Sequence, residues 1–134
     1  MNEERIEKEF YQKYPHIFPK PPICGFDVGE GWFPLLTRLC DKITDILNQS
    51  QLSKDDKEFC FDQIKEKFGT IRVYPGLVHE SLFDAIYKAI DEAEKESAVT
   101  CEYCGEPGKI RSGGWIKVRC DACEAERVML RRKL

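Results

Sequence analysis

The C-terminal part of the chain contains the stretch Cys101-Glu-Tyr-Cys104-Gly-Glu-Pro-Gly-Lys-Ile-Arg-Ser-Gly-Gly-Trp-Ile-Lys-Val-Arg-Cys120-Asp-Ala-Cys123. Its two Cys-x-x-Cys pairs are separated by 15 residues, a spacing typical of four thiolates that hold one zinc ion. Residues 109–111 and 115–119 are typical of short strands, and Ser112-Gly113-Gly114 suits the turn between them. The stretch therefore predicts a zinc ribbon with Cys101, Cys104, Cys120 and Cys123 as ligands.

Four thiolates leave no open position on a tetrahedral zinc ion, so the predicted metal is structural rather than catalytic. Two disulfide bonds are the competing interpretation. The chain has seven cysteines, an odd number, and the other three lie in apolar surroundings. This usage favours a reducing cytoplasm, where Cys24, Cys40 and Cys60 would serve as small core residues.

The composition indicates a small globular protein. A chain of 134 residues with 42% hydrophobic residues suits one domain with a metal-bound appendage. The net charge of −3 excludes a protein that is coated in basic charge, although the last residues form a basic tail with Arg127, Arg131, Arg132 and Lys133. We see no signal peptide and no run near the roughly 20 apolar residues of a membrane span, so we expect a cytoplasmic protein.

Helical periodicity is clearest over residues 32–49 and 80–97, each with an apolar stripe. A shorter helix is predicted over residues 2–13, and a proline-rich connector follows it up to residue 22. The chain would then divide into this N-terminal segment, a core and a cysteine-rich end with a basic tail, over residues 1–22, 23–98 and 99–134.

Residues 53–75 fit two structures. Ser53 as an N-cap and Gly69 as a stop favour a helix. The strand-like run from Thr70 to Tyr74 favours instead a hairpin around 59–75 that turns near 67–69. We expect the hairpin, and hence an α+β fold in which helices pack on a small antiparallel sheet and a zinc ribbon follows.

Two further strings carry a family resemblance: Gly29-Glu-Gly-Trp-Phe-Pro-Leu-Leu36 and Gln63-Ile-Lys-Glu-Lys-Phe-Gly-Thr-Ile-Arg-Val-Tyr74. Together with the late Cys-x-x-Cys-Gly and Gly-Gly-Trp they resemble a family of small proteins from bacteria, phages and prophages, over about residues 24–123. This chain differs from that family in two respects. It has Thr70 where the family more often has a second glycine after Gly69, and it has a complete second cysteine pair where relatives can use other ligands. The resemblance supports the strand–turn–strand structure and implies no specific activity. Its phage association implies an accessory protein that neutralises a host protein or a signalling nucleotide.

The hairpin carries the first candidate binding site. Side chains two residues apart on a strand point the same way, so Lys65 and Lys67 share a face, and Arg72 would lie near them. Such a cationic patch suits phosphate, which an arginine can bind through two hydrogen bonds. We add Tyr74, on the same strand as Arg72, to this candidate surface. A solvated hairpin face balanced by Glu66 is the simpler alternative.

Trp32 and Phe33 follow a Gly-Glu-Gly turn and are the second candidate site. An aromatic residue at a helix start can stack on a base, and free backbone N–H groups there can hold an anion. The alternative is that Trp32 closes the core beside its helix.

The ribbon carries the third candidate site. Trp115 stands among Arg111, Lys117 and Arg119, a pattern that proteins use to bind nucleic acid. Trp115 is equally suited to covering the metal.

Neither histidine, His16 or His79, lies in a nucleophile or metal motif, and no phosphate-binding or dinucleotide fingerprint is present. We therefore expect a non-enzymatic binding protein that captures an anionic ligand, such as a signalling nucleotide, or docks on a host protein, with an anti-defence role. A nucleic-acid-binding regulator is the alternative, and a small homo-oligomer is plausible for so thin a core.

Overall fold

The computed structural model describes residues 3–22, 25–112 and 114–132, and Cys24, Gly113 and Lys133 lie outside these ranges. Short 3₁₀ turns, Glu30–Trp32 and Glu80–Leu82, lead into the second and third helices. In chain order the helices and strands are α1 (Glu3–Lys13), β1 (Phe26–Asp27), α2 (Phe33–Gln49), β2 (Cys60–Lys67), β3 (Thr70–Leu77), α3 (Phe83–Ser97), β4 (Lys109–Arg111), β5 (Lys117–Arg119) and α4 (Asp121–Arg132).

The α+β fold predicted from the sequence is confirmed. Helix α2 has Pro34 in its first turn, where the missing N–H is not needed, and it ends where Ser50 adopts extended backbone. The turn before α3 is capped by His79, whose ring accepts a hydrogen bond from the backbone N–H of Ser81. This histidine therefore has a capping role.

Strands β2 and β3 form the predicted hairpin, so the helical alternative for this region is wrong. The strands pair antiparallel from Cys60 opposite Leu77 to Lys67 opposite Thr70, and the chain turns at Phe68 and Gly69. Alternate side chains are buried, Ile64 on β2 and Ile71 and Val73 on β3 among them. Their burial on one face fixes the register, because a shift of one residue would turn them to solvent.

A short third strand makes the sheet mixed rather than wholly antiparallel. Strand β1 pairs with β2 in parallel, with Phe26 opposite Ile64 and Asp27 opposite Lys65, so the strand order is β1-β2-β3. Two residues are too few to show an alternating pattern, which explains why the sequence did not indicate this strand.

One hydrophobic core joins the sheet to all three of the first helices. Helices α2 and α3 contribute residues such as Leu36, Ile43 and Ile86. Helix α1 adds Phe10, whose ring lies 5.1 Å from that of Phe26 in an edge-on contact. The N-terminal segment therefore packs into the same core as the residues of 25–98.

The described cysteines are free thiols. Cys40 is wholly buried in α2, which confirms the role of a small core residue, and burial raises the pKa of its thiol. Cys60, by contrast, is only partly buried. None of the helices in the described ranges has the length and apolarity needed to cross a bilayer.

The outer edge of the sheet is held by the end of α3. The backbone N–H of Ile71 on β3 donates a hydrogen bond of 2.9 Å to Oγ of Ser97, whose hydroxyl donates to the carbonyl of Glu94. Ser97 is wholly buried. One serine thus satisfies a strand donor and ties the helix to the sheet.

Replacing Ser97 with alanine leaves the Ile71 N–H buried without a partner. We expect Ser97→Ala to lower the free energy of unfolding by about 1–3 kcal/mol. Urea unfolding followed by circular dichroism measures this change. The control is Ser112→Ala, because Ser112 is exposed and its hydroxyl makes no hydrogen bond within the described chain. Equal stability of the two variants would contradict the role given to Ser97.

Candidate metal centre and binding surfaces

The predicted cysteine cluster is present. The Sγ atoms of Cys101, Cys104, Cys120 and Cys123 all lie within 4.8 Å of one another. Cys101 and Cys104 belong to a tight turn after α3, whereas Cys120 immediately precedes α4 and Cys123 lies in its first turn. The second pair is therefore presented by a helix start, which differs from the second β-knuckle that a ribbon would have.

The cluster fits a metal ion better than disulfide bonds. The Sγ atoms of Cys104 and Cys120 are 3.6 Å apart, well beyond the roughly 2.05 Å of a disulfide bond. A tetrahedral ion with metal–sulfur bonds of about 2.3 Å requires sulfur atoms roughly 3.8 Å apart. The four cysteines can therefore hold one metal ion.

The pKa values of the thiols show how closely the four cysteines interact. Burial works to raise the pKa of Cys101, but hydrogen bonds from the backbone of Cys120, Cys104 and Tyr103 outweigh it and lower that pKa to about 7. Burial and hydrogen bonds with the other thiols raise the pKa of Cys123. Four sulfur atoms this close cannot all carry negative charge unless a positive ion lies between them.

The Gly-Glu-Gly turn before α2 packs directly against the first cysteine pair. Gly31 N donates to the carbonyl of Glu102 at 2.8 Å, and Gly29 N donates to Glu102 Oε2 at 2.9 Å. A Cβ atom on Gly31 would lie 2.3 Å from the carbonyl oxygen of Cys101, so no larger residue fits. These glycines are needed for close backbone approach, and we call this contact the core–metal seam.

Trp32 belongs to the same seam. Its ring is wholly buried, and its Nε1 donates to the carbonyl of Thr100 at 2.9 Å. The predicted stacking of a ligand on an exposed Trp32 is therefore wrong, because no face of the ring reaches solvent. The alternative, that Trp32 closes the core, is what the structure shows.

Phe33 is buried too, but it lies on the wall of a cleft. The cleft has a volume of about 740 Å³ and runs between α1, the start of α2 and the first cysteine pair. Arg5, Glu9, Lys13 and Glu30 line it together with Cys104, so its charges are mixed. The residues of the predicted hairpin site are not among those that line it, so the two predicted sites are separate.

Lys117 connects the cysteine-rich end to the hairpin. Its Nζ lies 2.7 Å from Glu66 Oε1 and 3.5 Å from Glu102 Oε1, and all three side chains are largely buried. Burial disfavours the charged lysine, but the hydrogen bond to Glu66 and the two negative charges outweigh it and raise the pKa of Lys117. For Glu102, burial disfavours the charged carboxylate and is the main cause that raises its pKa.

The two arginines of the predicted nucleic-acid site also bind within the molecule. Arg111 donates through Nη2 to the carbonyl of Arg119 at 3.1 Å and to Asp121 at 2.7 Å. Arg119 is buried, with Nη1 3.3 Å from Glu124 and its guanidinium 5.2 Å from the ring centre of Tyr103. The charges of Arg111, Lys117 and Arg119 are therefore engaged within residues 99–132, which we call the metal module, or with Glu66 of the hairpin, and they offer little charge to a ligand.

Trp115 does not cover the cysteine cluster, since it is 79% exposed. It borders a shallow hollow of about 300 Å³ with Gly114, Ile116 and Phe68, which is itself 65% exposed. Phe68 was missed as a candidate because it precedes Gly69 inside a strand-like run. A large aromatic residue at the turn of a hairpin was the signal that could have identified it.

The residues of the predicted hairpin site share the face of the sheet opposite the buried Ile64, Ile71 and Val73. Lys65 lies directly opposite Arg72, and Gln63 opposite Tyr74. Lys65 Nζ is 5.7 Å from the ring centre of Tyr74. Two acids flank this row, because Asp27 lies opposite Lys65 on β1 and Glu94 lies 3.6 Å from Arg72.

Comparisons of the chain with protein-family models, with curated proteins and with solved structures found no match. The resemblance to a phage and prophage family therefore stays a prediction.

Because the two backbones approach closely at the core–metal seam, one methyl group added there should strongly affect stability. We expect Gly31→Ala to destabilise the protein by about 1–3 kcal/mol, because the added Cβ overlaps the backbone of Cys101. The same displacement should weaken metal binding, which competition with a chromogenic chelator measures. Glu30→Ala in the same turn is the matched control, and an equal metal affinity in the two variants would show that the seam does not support the metal site.

Proposed function

We propose that the metal is one structural zinc ion held by Cys101, Cys104, Cys120 and Cys123. The all-thiolate donor set and the separation of the sulfur atoms support zinc. When bound, the ion would stabilise the close packing of four thiolates and so supply folding free energy. A closed coordination sphere leaves no position for substrate, so the ion would have no part in catalysis.

Removal of the metal should open the core–metal seam. The chain has two tryptophans, so Trp115→Phe leaves Trp32 as the sole tryptophan fluorophore. We expect a strong chelator to release one zinc per chain, to lower the melting temperature and to shift the emission of Trp32 to longer wavelength as its ring becomes hydrated. Elemental analysis confirms the release. Unchanged emission and melting after complete zinc loss would contradict a structural role.

We further propose that the protein is a non-enzymatic, cytoplasmic binding protein that holds an anionic ligand on the open face of the β2–β3 hairpin. We call this face the hairpin face and define it by Lys65, Lys67, Arg72 and Tyr74. The observation that carries the proposal is the register, which places Lys65 opposite Arg72 on the side of the sheet that the core leaves free.

The charges on the hairpin face are available to a ligand. Lys65 and Lys67 form no ion pair within the described chain. Arg72 pairs with Glu94, but both side chains are about one-third exposed, at 34% and 35%, and such surface pairs contribute only about 0–1 kcal/mol. A phosphate that accepts two hydrogen bonds from Arg72 would replace this pair readily.

The surroundings of the histidines support a non-enzymatic role. His79 caps the turn before α3, and its Nδ1 lies 2.8 Å from the hydroxyl of Ser81 in that turn. His16 lies 2.7 Å from the hydroxyl of Thr44, which in turn donates to the carbonyl of Cys40. Both histidines thus brace local structure. The free thiols of Cys40 and Cys60 support a reducing compartment.

Calorimetric titration with ATP, with a cyclic dinucleotide and with a short oligonucleotide tests the proposed binding. We expect at least one of these anions to bind, and Arg72→Ala and Lys67→Ala to weaken that binding about tenfold each, as the loss of a charge-assisted hydrogen bond of roughly 1.4 kcal/mol implies. Lys88→Ala is the control, because Lys88 is an exposed lysine on α3, away from the hairpin face. If none of the anions binds, or if both substitutions leave every affinity unchanged, the proposal is wrong.

A further inference from the structure

Phe68 occupies a position that its chemistry does not favour. It forms the hairpin turn with Gly69, and both have positive φ, 54° and 87°. Asparagine and glycine are the residues preferred at such positions, and a bulky side chain there strains the backbone. Packing does not offset that strain, because Phe68 is one of the most exposed large apolar residues described. Strain of this kind is characteristic of functional positions.

Trp115 is a second exposed ring at the neighbouring turn. It borders the same hollow as Phe68, although the two residues belong to different hairpins. The two turns lie close together at Gly69, where an added Cβ atom would be within 4 Å of the side chains of Ile116, Val118 and Ile110 in the metal module. The fold therefore places two large, exposed aromatic side chains at the border of one hollow.

The rings of Phe68 and Trp115 lie next to the hairpin face and extend it. Lys67 Nζ lies 5.6 Å from the ring centre of Phe68, and Lys65 Nζ lies 5.7 Å from that of Tyr74. Lys65 and Lys67 point the same way, as residues two apart on a strand do. The shared hollow, the two cation–ring contacts and the hairpin register thus arrange the exposed rings and the cations in one strip, whose members in order are Trp115, Phe68, Lys67, Lys65 with Arg72, and Tyr74.

The strip is too long for a single nucleotide. From Gln63, which is paired with Tyr74, to Lys67 the strand spans about 14 Å at roughly 3.4 Å per residue, and Phe68 and Trp115 extend the strip further. Exposed rings beside cations are the arrangement that binds single strands, where bases stack on the rings and phosphates pair with the cations. A duplex would keep its bases stacked on one another and leave the rings without a role.

We propose that the ligand of this strip is a single-stranded nucleic acid. The proposal rests on the proposed function of the hairpin face and names its ligand. Bases would stack on Trp115, Phe68 and Tyr74, and phosphates would contact Lys65, Lys67 and Arg72. The surface differs from the one predicted from the sequence, because Arg111, Lys117 and Arg119 are engaged within the metal module.

Fluorescence anisotropy with a labelled single-stranded 12-mer of thymidine or uridine, compared with a duplex of equal length and with ATP, tests this ligand. We expect the single strand to bind tightest. Three phosphate contacts predict that the logarithm of the association constant falls with the logarithm of the salt concentration at a slope of about −2. Asp27→Asn should tighten binding, because it removes a negative charge opposite Lys65.

Substitutions at the rings separate stacking from simple charge. Trp115→Ala and Phe68→Asn should each weaken binding of the single strand roughly 5- to 100-fold, the loss expected for one stacked base. Phe68→Asn should leave the melting temperature equal or raise it, since asparagine suits the turn. Tyr87→Ala is the matched control, because Tyr87 is an exposed ring stacked on Phe83 of α3.

The possible outcomes distinguish the two proposals. If ATP binds as tightly as the 12-mer and the ring substitutions change nothing while Arg72→Ala still weakens binding, the single-strand proposal is overturned and the anionic-ligand proposal stands. If substitution of Lys65, Lys67 and Arg72 leaves the affinity for the 12-mer unchanged, the 12-mer binds elsewhere and the single-strand proposal is overturned. The anionic-ligand proposal fails as well if the affinity for ATP is also unchanged. Tighter binding of the duplex than of the 12-mer also overturns the single-strand proposal, as does binding of an acidic protein on this strip in place of nucleic acid.

Discussion

Two glycines allow the backbone before α2 to lie directly against the backbone of the first cysteine pair, and the remaining contacts of the seam depend on that approach. With Gly31 N bonded to the carbonyl of Glu102, Trp32 is buried deeply enough to reach Thr100. Glu102 can then accept from Gly29 and lie beside Lys117. A zinc ion that fixes Cys101 would therefore also fix the start of α2, although the two are separated by about seventy residues in sequence.

The parts of the fold that were predictable are those in which local pattern and tertiary contact agree. The cysteine spacing indicates which thiols come together. The apolar stripes of α2 and α3 and the alternation along β2 and β3 indicate which side chains face the interior. Strand β1 is only two residues long, which is too short to show such a pattern. Helix α4 begins at Asp121, directly after Cys120, so the second cysteine pair lies at a helix start rather than in the second knuckle of a ribbon.

The candidate sites were harder to predict because a charged or aromatic residue looks the same in sequence whether its partner is a ligand or the protein itself. Glu66 precedes Lys117 by 51 residues, so nothing near Lys117 indicated that its charge was already neutralised. Trp32 follows two glycines that suggested an exposed turn, yet those glycines mark close packing. For Lys65 and Arg72 the hairpin register could be derived from sequence, and there the predicted grouping is present.

The hydrogen bond between Ile71 and Ser97 has a consequence for how the chain behaves before it is fully assembled. Strand β3 lies at the open edge of the sheet, and such edges can pair with another chain. Pro75 removes one donor from that edge, and Ser97 occupies another. Ser97 is the last residue of α3, four positions before Cys101. If the cysteine cluster holds zinc as proposed, a newly made chain without zinc would hold Ser97 less firmly against this edge, and zinc supply would set how long the edge remains open to aggregation.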